Sequence, residues 1–332
     1  MKSNNEVTKI NNLRAIAILI VMFGHSIILY SEHWNLYTTD RICETFNIMK
    51  KMIDVIQMPL YFFISGYLFY WTFCKKDFMT IIKDKIRRLL VPFISIGLFW
   101  MLPIRLVIKY PGYNDVELLD IIFYKICLGY DNGHLWFLPT LFLCFIFLLI
   151  IKKLESVLYV NNKALLVFHT LIIIMCCIIK PLNVSIYLDN VYNYFFYFYL
   201  GFLMNEYRHI IDYIQSNRTI QMILLFFWMI FLCSLVFITN SFIKNVLGII
   251  FVILMFLHVP DRNSPIMNII AKYSFGIYLF HSPLVYITFS FFNNTFPMLV
   301  MFLNFFVFGL LAFCMSKICS ENKVLKKLIG EK

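Results

Sequence analysis

The chain has 332 residues, of which 61% are hydrophobic and only 14% are charged, and its mean hydropathy is +0.79. These values exclude an ordinary water-soluble globular protein. The net charge of +11 is spread over short segments between long apolar runs, so it favours membrane orientation over a nucleic-acid-binding surface. We therefore expect an all-α, polytopic integral membrane protein without a nucleic-acid partner.

Apolar runs of about 20 residues, the length that crosses a bilayer as a helix, recur along the whole chain. In lipid each run must be helical, because an unpaired backbone group finds no water there. About ten transmembrane helices are predicted, and both termini then share one side. Placing the termini in the cytoplasm puts most Lys and Arg residues inside, as the positive-inside rule requires. The predicted spans are 14–30, 53–73, 89–108, 135–151, 164–180, 191–205, 221–239, 243–258, 273–292 and 297–317.

Three predicted loops carry much of the polar character. The outer loops at 31–52 and 109–134 mix charged and aromatic residues, which suits a sugar ligand and equally an interfacial aromatic belt. The inner loop at 75–88 has the densest positive charge in the chain. Such a cluster either orients the protein against anionic lipid or recognises a phosphorylated ligand, and the charge density alone favours the first interpretation.

Two histidines fall inside predicted spans at similar depth. His25 lies eleven residues after Arg14, about 16 Å further along a helix, and His281 lies near the middle of the ninth predicted span. A lone histidine in a membrane is commonly a hydrogen bond between helices, but two at one depth favour a functional site. A third histidine, His134, opens the fourth predicted span beside Trp136.

Histidine is the side chain best suited to act as a general base near neutral pH. A span histidine that faces a wet cavity is able to deprotonate a hydroxyl for attack on an activated acyl group. The sequence has no Gly-x-Ser-x-Gly elbow and no His-Glu-x-x-His motif, so direct transfer is simpler than a covalent intermediate and no metal site is predicted. A transporter or flippase of a lipid-linked sugar is the alternative, since ten spans with aromatic outer loops suit it too.

Five short motifs follow one another along the chain. The first is Arg14 with His25, and the others are 59–67 (PLYFFISGY), 85–92 (KIRRLLVP), 134–138 (HLWFL) and 273–281 (YSFGIYLFH). In this order they resemble the acyltransferase 3 family of bacterial membrane acyltransferases. The resemblance implies a membrane acyltransferase domain at 9–318 and a short basic cytoplasmic tail at 319–332, without the hydrolase-like domain that is fused to some relatives.

The resemblance implies O-acyl transfer in a bacterial plasma membrane. The expected donor is cytoplasmic acyl-CoA, usually acetyl-CoA, and the expected acceptor is a hydroxyl of a cell-surface polysaccharide or its lipid-linked precursor. A small metabolite is the alternative acceptor. The chain is expected either to complete the transfer alone or to pass the acyl group to a separate surface partner.

The resemblance also implies roles for single residues. His25 is the predicted catalytic base, and Arg14, Lys85, Arg87 and Arg88 are the predicted donor-binding residues. Many relatives have two arginines three apart where this chain has Lys85 and Arg88, so the sequence leaves open which of the last three meets the donor. The remaining predicted site residues are His281 and Tyr278 as catalytic groups, and His134, Trp136 and Ser65 as substrate-binding groups.

Overall fold

The computed structural model describes residues 4–32, 42–158, 165, 167–173, 185–234, 241–292 and 295–331, and every regular element within them is helical. The predicted all-α class is therefore confirmed for this part of the chain. The principal helices are α1 (Asn4–Ser26), α2 (Glu44–Asp54), α3 (Gln57–Phe73), α4 (Phe78–Val107), α5 (Phe137–Leu158), α6 (Ile186–Glu206), α7 (Arg208–Ser216), α8 (Arg218–Ser234), α9 (Ser241–His258), α10 (Pro265–Phe292), α11 (Pro297–Glu321) and α12 (Leu325–Leu328).

Among the described residues, six helical segments are long and apolar enough to cross a bilayer. They are α1, α2 together with α3, α4, α5 with the turn before it, α10 and α11. Shorter apolar stretches lie in α8 and α9. Large apolar side chains face outward, such as Phe99 and Val107 at 73% and 79% exposure, which suits contact with lipid. The chain is a polytopic membrane protein.

Six predicted spans coincide with these six segments. Those predicted at 191–205, 221–239 and 243–258 fall on α6, α8 and α9. The span predicted at 164–180 lies largely outside the described residues, although 167–173 are helical. Residues 33–41 of the predicted first outer loop also lie outside the described residues.

Helix α1 begins at Asn4, well before the predicted start at residue 14. Its first turns hold Glu6, which is 6% exposed. The hydroxyl of Tyr67 on α3 donates to this carboxylate at 2.8 Å, and Arg208 of α7 forms an ion pair with it. The helix extends through polar residues because other helices, and not lipid, surround them.

Helix α4 begins at Phe78, so the basic segment predicted as an inner loop is helical from that residue onward. The loop prediction was wrong there because Asp77 provides a helix cap: its carboxylate accepts from the backbone N–H of Thr80 at 3.0 Å. A cap of this kind satisfies a backbone donor that the first helical turn leaves free. The basic side chains therefore project from a helix with fixed spacing.

Two π turns occur within α4, at Ile86–Leu90 and Gly97–Met101. They precede Pro92 and Pro103, each of which lacks a backbone N–H and would clash with the carbonyl four residues earlier in a regular α-helix. The wider turns accommodate both prolines. As a result, α4 carries basic residues at one end and continues as a single helix to the opposite end of the bundle.

Helix α3 is central, and it packs closely against α6 and α1. A Cβ on Gly66 would overlap the carbonyl oxygen of Phe198, and one on Gly201 would overlap that of Phe63. Small residues of this kind let membrane helices approach backbone to backbone. Helix α1 also packs along α10, which packs on α11. Helices α1, α3 and α10 thus form the walls of the candidate site.

Candidate active site

A pair of histidines joins α1 to α10 in the interior. Nδ1 of His25 lies 2.8 Å from Nε2 of His281, and the two rings are nearly parallel, at 9°. His281 is only 3% exposed, whereas His25 as a whole residue is half-buried. The two histidines that the sequence places at similar depth are therefore in direct contact.

The hydrogen bonds assign the tautomers of this pair. Nδ1 of His281 lies 3.0 Å from the carbonyl oxygen of Ile277 and 2.9 Å from that of Tyr278. Carbonyl oxygens only accept, so this nitrogen carries the proton and Nε2 of the neutral ring accepts from Nδ1–H of His25. Nε2 of His25 then holds a lone pair, and no described residue bonds to it. This is the form that a general base requires.

His134 and Tyr278 extend the cluster beyond His281. The ring centroid of His134 lies 5.6 Å from that of His281 and 5.2 Å from that of Tyr278. Nε2 of His134 donates to the carbonyl oxygen of Leu279 at 3.2 Å, and the Tyr278 hydroxyl donates to the carbonyl oxygen of His134. Nδ1 of His134 is buried and has no hydrogen-bond partner among the described residues. It is an unused acceptor beside the histidine pair.

A cavity of about 510 Å³ runs from the basic end of the bundle towards this cluster. Tyr278 lines the cavity, and its ring centroid lies 6.0 Å from that of His281. Tyr61, which had no predicted role, lies opposite, with its ring centroid 6.2 Å from that of Tyr278. The cavity thus extends from predicted donor-binding residues to Tyr278, which separates it from His281. The predicted site residues in its lining are Arg14, Ser65, Lys85, Arg88 and Tyr278.

Three basic side chains converge on this cavity from α1 and α4. Arg14 is held by Ser274, whose Oγ accepts from Nη2 at 3.1 Å. The ammonium of Lys85 lies 3.5 Å from the ring centroid of Phe145. Within the described chain, Lys85 and Arg88 form no ion pair. No described carboxylate therefore competes with an anionic ligand for these two side chains.

Arg87 has a different environment. It lines an adjoining cavity of about 440 Å³, which shares Arg14, Lys85 and Arg88 with the first. Its Nη2 donates to the carboxylate of Asp84 at 2.9 Å, so much of its charge is neutralised. We call the 510 Å³ cavity the inner cavity and the 440 Å³ cavity the outer cavity. Of the three residues that the sequence leaves as candidates, Lys85 and Arg88 line the inner cavity, whereas Arg87 lines only the outer cavity.

Trp136 is separate from the histidine cluster. Its ring centroid lies 5.4 Å from that of Tyr194 and 6.5 Å from that of Phe62, in stacked geometry. Within the described residues it makes no ring contact with a histidine. Ser65 is also separate from Trp136, because Ser65 lines the 510 Å³ cavity and Trp136 does not. The predicted substrate-binding residues thus occupy different parts of the site.

The end of α2 and the start of α3 bring a polar group without a predicted role to the turn of α1 that holds His25. Nε2 of Gln57 donates to Oδ1 of Asp54 at 2.7 Å, and Lys50 forms an ion pair with the same carboxylate. Oε1 of Gln57 is buried without a hydrogen-bond partner in the described structure and would lie 2.9 Å from a Cβ at Gly24. Lys50 falls in the outer loop predicted at 31–52, whereas Asp54 and Gln57 fall in the span predicted at 53–73. An ionisable residue within a predicted span, here Asp54, was the signal that could have identified this group.

Arg105 is a second buried group without a predicted role. It lies on α4 with an exposed fraction of 0%, and its Nη1 is 3.1 Å from Oδ1 of Asp131. The residue falls inside the span predicted at 89–108. The cost of burying an ionisable group in a membrane was therefore the signal that could have identified it.

A family model described as an acyltransferase domain matches residues 7–320. The chain belongs to the acyltransferase 3 family. The match covers nearly all of the chain and confirms the resemblance carried by the five motifs. It makes the protein a membrane acyltransferase that acts on an acyl donor and an acceptor, and it favours this class over a flippase. Comparisons with curated proteins and with solved structures found no match.

Proposed function

We propose that this acyltransferase 3 family member moves an acetyl group from cytoplasmic acetyl-CoA to a hydroxyl of a bacterial cell-surface polysaccharide or its lipid-linked precursor. The observation that carries the proposal is the bond between His25 and His281, which leaves Nε2 of His25 able to take a proton. Ten spans with both termini in the cytoplasm direct the basic end of the bundle towards acetyl-CoA.

The basic cavities suit the donor. Arg14, Lys85 and Arg88 bind the CoA phosphates, because guanidinium and ammonium groups form strong charge-assisted hydrogen bonds with phosphate oxygens. Arg87 contributes at the outer cavity, where Asp84 holds it. The pantetheine arm then follows the inner cavity and places the thioester near Tyr278.

The reaction is direct acyl transfer. Nε2 of His25 removes the proton of the acceptor hydroxyl as that oxygen attacks the thioester carbonyl carbon. The carbon–sulfur bond then breaks, and the CoA thiolate takes the proton from His25. His281 holds His25 in the productive tautomer throughout. The products are an acyl ester and CoA thiol, and no covalent enzyme intermediate is needed.

Charge develops on the carbonyl oxygen during attack and requires a donor. Ser65 lines the inner cavity and forms no hydrogen bond with the described residues, so its hydroxyl proton is available for this oxygen. The Tyr278 hydroxyl already donates to the carbonyl oxygen of His134. Tyr278 therefore stabilises the oxyanion only if its hydroxyl leaves the His134 carbonyl oxygen and donates to the oxyanion instead.

The acceptor side offers unused acceptor atoms. Nδ1 of His134 and Oε1 of Gln57 are both buried without a hydrogen-bond partner in the described structure, and both accept from hydroxyl groups. Trp136 and Tyr194 add stacked aromatic surface nearby. Hydroxyl donors and an apolar ring face are features of a sugar, which supports a carbohydrate acceptor.

The test measures label transfer in membranes. Membranes with wild-type protein, the His25→Ala variant or the His209→Ala variant receive acetyl-CoA labelled on the acetyl group, and the label is followed into surface glycan and lipid-linked sugar. His209 is an exposed histidine outside the site and is the matched control. We expect His25→Ala to lower transfer by roughly 10²–10⁴-fold, the usual contribution of a general base.

Equal abundance of the three proteins is checked in the same membranes. Transfer that persists in His25→Ala would remove the base assignment. Consumption of acetyl-CoA without label in any glycan fraction would contradict the carbohydrate acceptor and direct the search to small metabolites. If folded protein is incubated with native glycan and the glycan stays unlabelled while acetyl-CoA stays intact, the assignment of acetyl-CoA as the donor is contradicted.

A further inference from the structure

The guanidinium of Arg105 is buried at the end of α4 that lies away from the basic cavities. Nη1 donates to the Tyr113 hydroxyl at 3.0 Å and to the carbonyl oxygen of Asp131 at 2.8 Å, and Nη2 donates to the Tyr286 hydroxyl at 2.8 Å. Burial raises the pKa of the Tyr113 phenol. That phenol stays protonated and carries no charge. The Asp131 carboxylate, whose Oδ1 lies 3.1 Å from Nη1 of Arg105, therefore balances the guanidinium charge.

These bonds join three parts of the molecule at one point. Tyr113 and Asp131 belong to the predicted 109–134 loop, which differs from the prediction in being helical at Leu118–Asp120 and Ile121–Cys127, whereas Tyr286 belongs to α10. Tyr110 closes the group: its backbone N–H donates to the Arg105 carbonyl oxygen at 2.8 Å, and its ring centroid lies 4.2 Å from the guanidinium. Arg105 thus fastens both ends of the loop to α4 and α10.

Gly133 passes directly over this group. Its φ of +55° favours glycine, and a Cβ there would lie 2.9 Å from Nη2 of Arg105 and 2.7 Å from the Tyr286 hydroxyl oxygen. No ordinary side chain fits so close to these atoms. His134 is the next residue, so the backbone that carries it is packed against the guanidinium.

The other side of His134 is held by α10. Its Nε2 donates to the Leu279 carbonyl oxygen, and its own carbonyl oxygen accepts from Tyr278. We propose that Arg105 is a positioning residue, which fixes the segment from Asp131 to His134 against α10 and thereby sets the place of the His134 ring beside His281. The consequence for acyl transfer rests on the proposed function. Arg105 itself touches no substrate.

The kinetic test compares Arg105→Lys and Tyr286→Phe with Lys109→Gln. Lys109 is an exposed basic residue next to the same loop and serves as the matched control. Displacement of a group in the site by 1 Å lowers kcat by roughly 100-fold. We expect such a loss in Arg105→Lys and a smaller one in Tyr286→Phe. The KM for acetyl-CoA should stay within about twofold of wild type, since the donor cavities lie at the opposite end of α4.

A merely structural Arg105 would give a different result. Abundance and thermal stability would fall, while kcat per folded molecule would stay at the wild-type value in both variants. That outcome overturns the proposal. The proposal is supported if kcat falls in Arg105→Lys and falls no further when Tyr286→Phe is added to it. The two losses are then not additive, because both residues hold one segment.

A second measurement does not depend on catalysis. In a His134→Cys background, alkylation of the introduced thiol by a maleimide is followed by peptide mass spectrometry with and without Arg105→Lys. We expect alkylation to be at least tenfold faster in the double variant, and an unchanged rate overturns the proposal. Alkylation could become faster in the Arg105→Lys variant although the wild-type protein transfers no acyl group under any condition. That result would retain the positioning role and reject the proposed function.

Discussion

Nδ1 of His25 and Nε2 of His281 lie 2.8 Å apart, although 256 residues separate them in the chain. The contact forms because α1 packs along α10. It makes the orientation of His25, the proposed base, depend on both helices, since His281 is itself fixed by two carbonyl oxygens of its own helix. The His25 ring is therefore oriented before any substrate binds.

Replacement of His281 should separate orientation from packing. A glutamine side-chain oxygen accepts the Nδ1–H of His25, whereas phenylalanine does not. We expect His281→Phe to lower the rate of CoA thiol release by roughly 100-fold, near the lower end for a general base, and His281→Gln by about tenfold. Equal rates for the two variants at equal abundance would show that His281 does not orient His25.

Donor affinity should distinguish Lys85, Arg87 and Arg88 of α4. A lost charge-assisted hydrogen bond costs about 1.5–3 kcal/mol, which is roughly tenfold or more in affinity. We expect the KM for acetyl-CoA to rise about tenfold in Lys85→Ala and Arg88→Ala, and less than about threefold in Arg87→Ala, because Asp84 already neutralises Arg87. Lys83→Ala, at an exposed position of the same helix, is the control. A largest effect in Arg87→Ala would contradict this assignment.

Neutralising Asp84 should act in the opposite direction. Its carboxylate pairs with both Arg87 and Lys76 at the outer cavity. Asp84→Asn releases these charges towards the donor phosphates, so we expect the KM for acetyl-CoA to fall by roughly threefold at low ionic strength. Added salt should reduce the difference, because it screens accessible charges. A higher KM at low salt would mean that Asp84 serves the donor site in another way.

A stability prediction concerns the crossing of α3 and α6. A methyl group at Gly66 would overlap the backbone of Phe198, so Gly66→Ala should destabilise the protein by at least about 1–3 kcal/mol, the usual cost of overpacking. The measurement is the thermal unfolding midpoint in detergent. Ser65→Ala, at the neighbouring position, should keep the wild-type midpoint while transfer slows. An unchanged midpoint in Gly66→Ala would indicate that the two helices separate without cost.

The sequence identifies the residues of this candidate site better than it predicts their spatial grouping. His25 and His281 are identifiable because an ionisable residue within an apolar run is costly. Their direct contact is not identifiable, since run length fixes the depth of a residue and leaves its neighbours undetermined. The same limit explains Ser65 and Trp136, which share a predicted role but occupy separate parts of the site.

Other differences come from local structure that apolar runs do not reveal. The cap at Asp77 makes the basic segment helical, and buried partners let α1 continue through Glu6. Arg105 was detectable in principle, because it is an arginine within a predicted span. Its significance depends on Asp131 and Tyr286, which are brought to it only by tertiary folding.

Tyr278 lines the proposed donor cavity and His281 belongs to the proposed catalytic pair, and the two residues are three positions apart on α10. That is less than one helical turn. In the proposed orientation, this short stretch of α10 is the partition between the two sides of the membrane. Under the proposed function only the acyl group passes it, so an external glycan is modified with an internal metabolite while neither substrate crosses the bilayer.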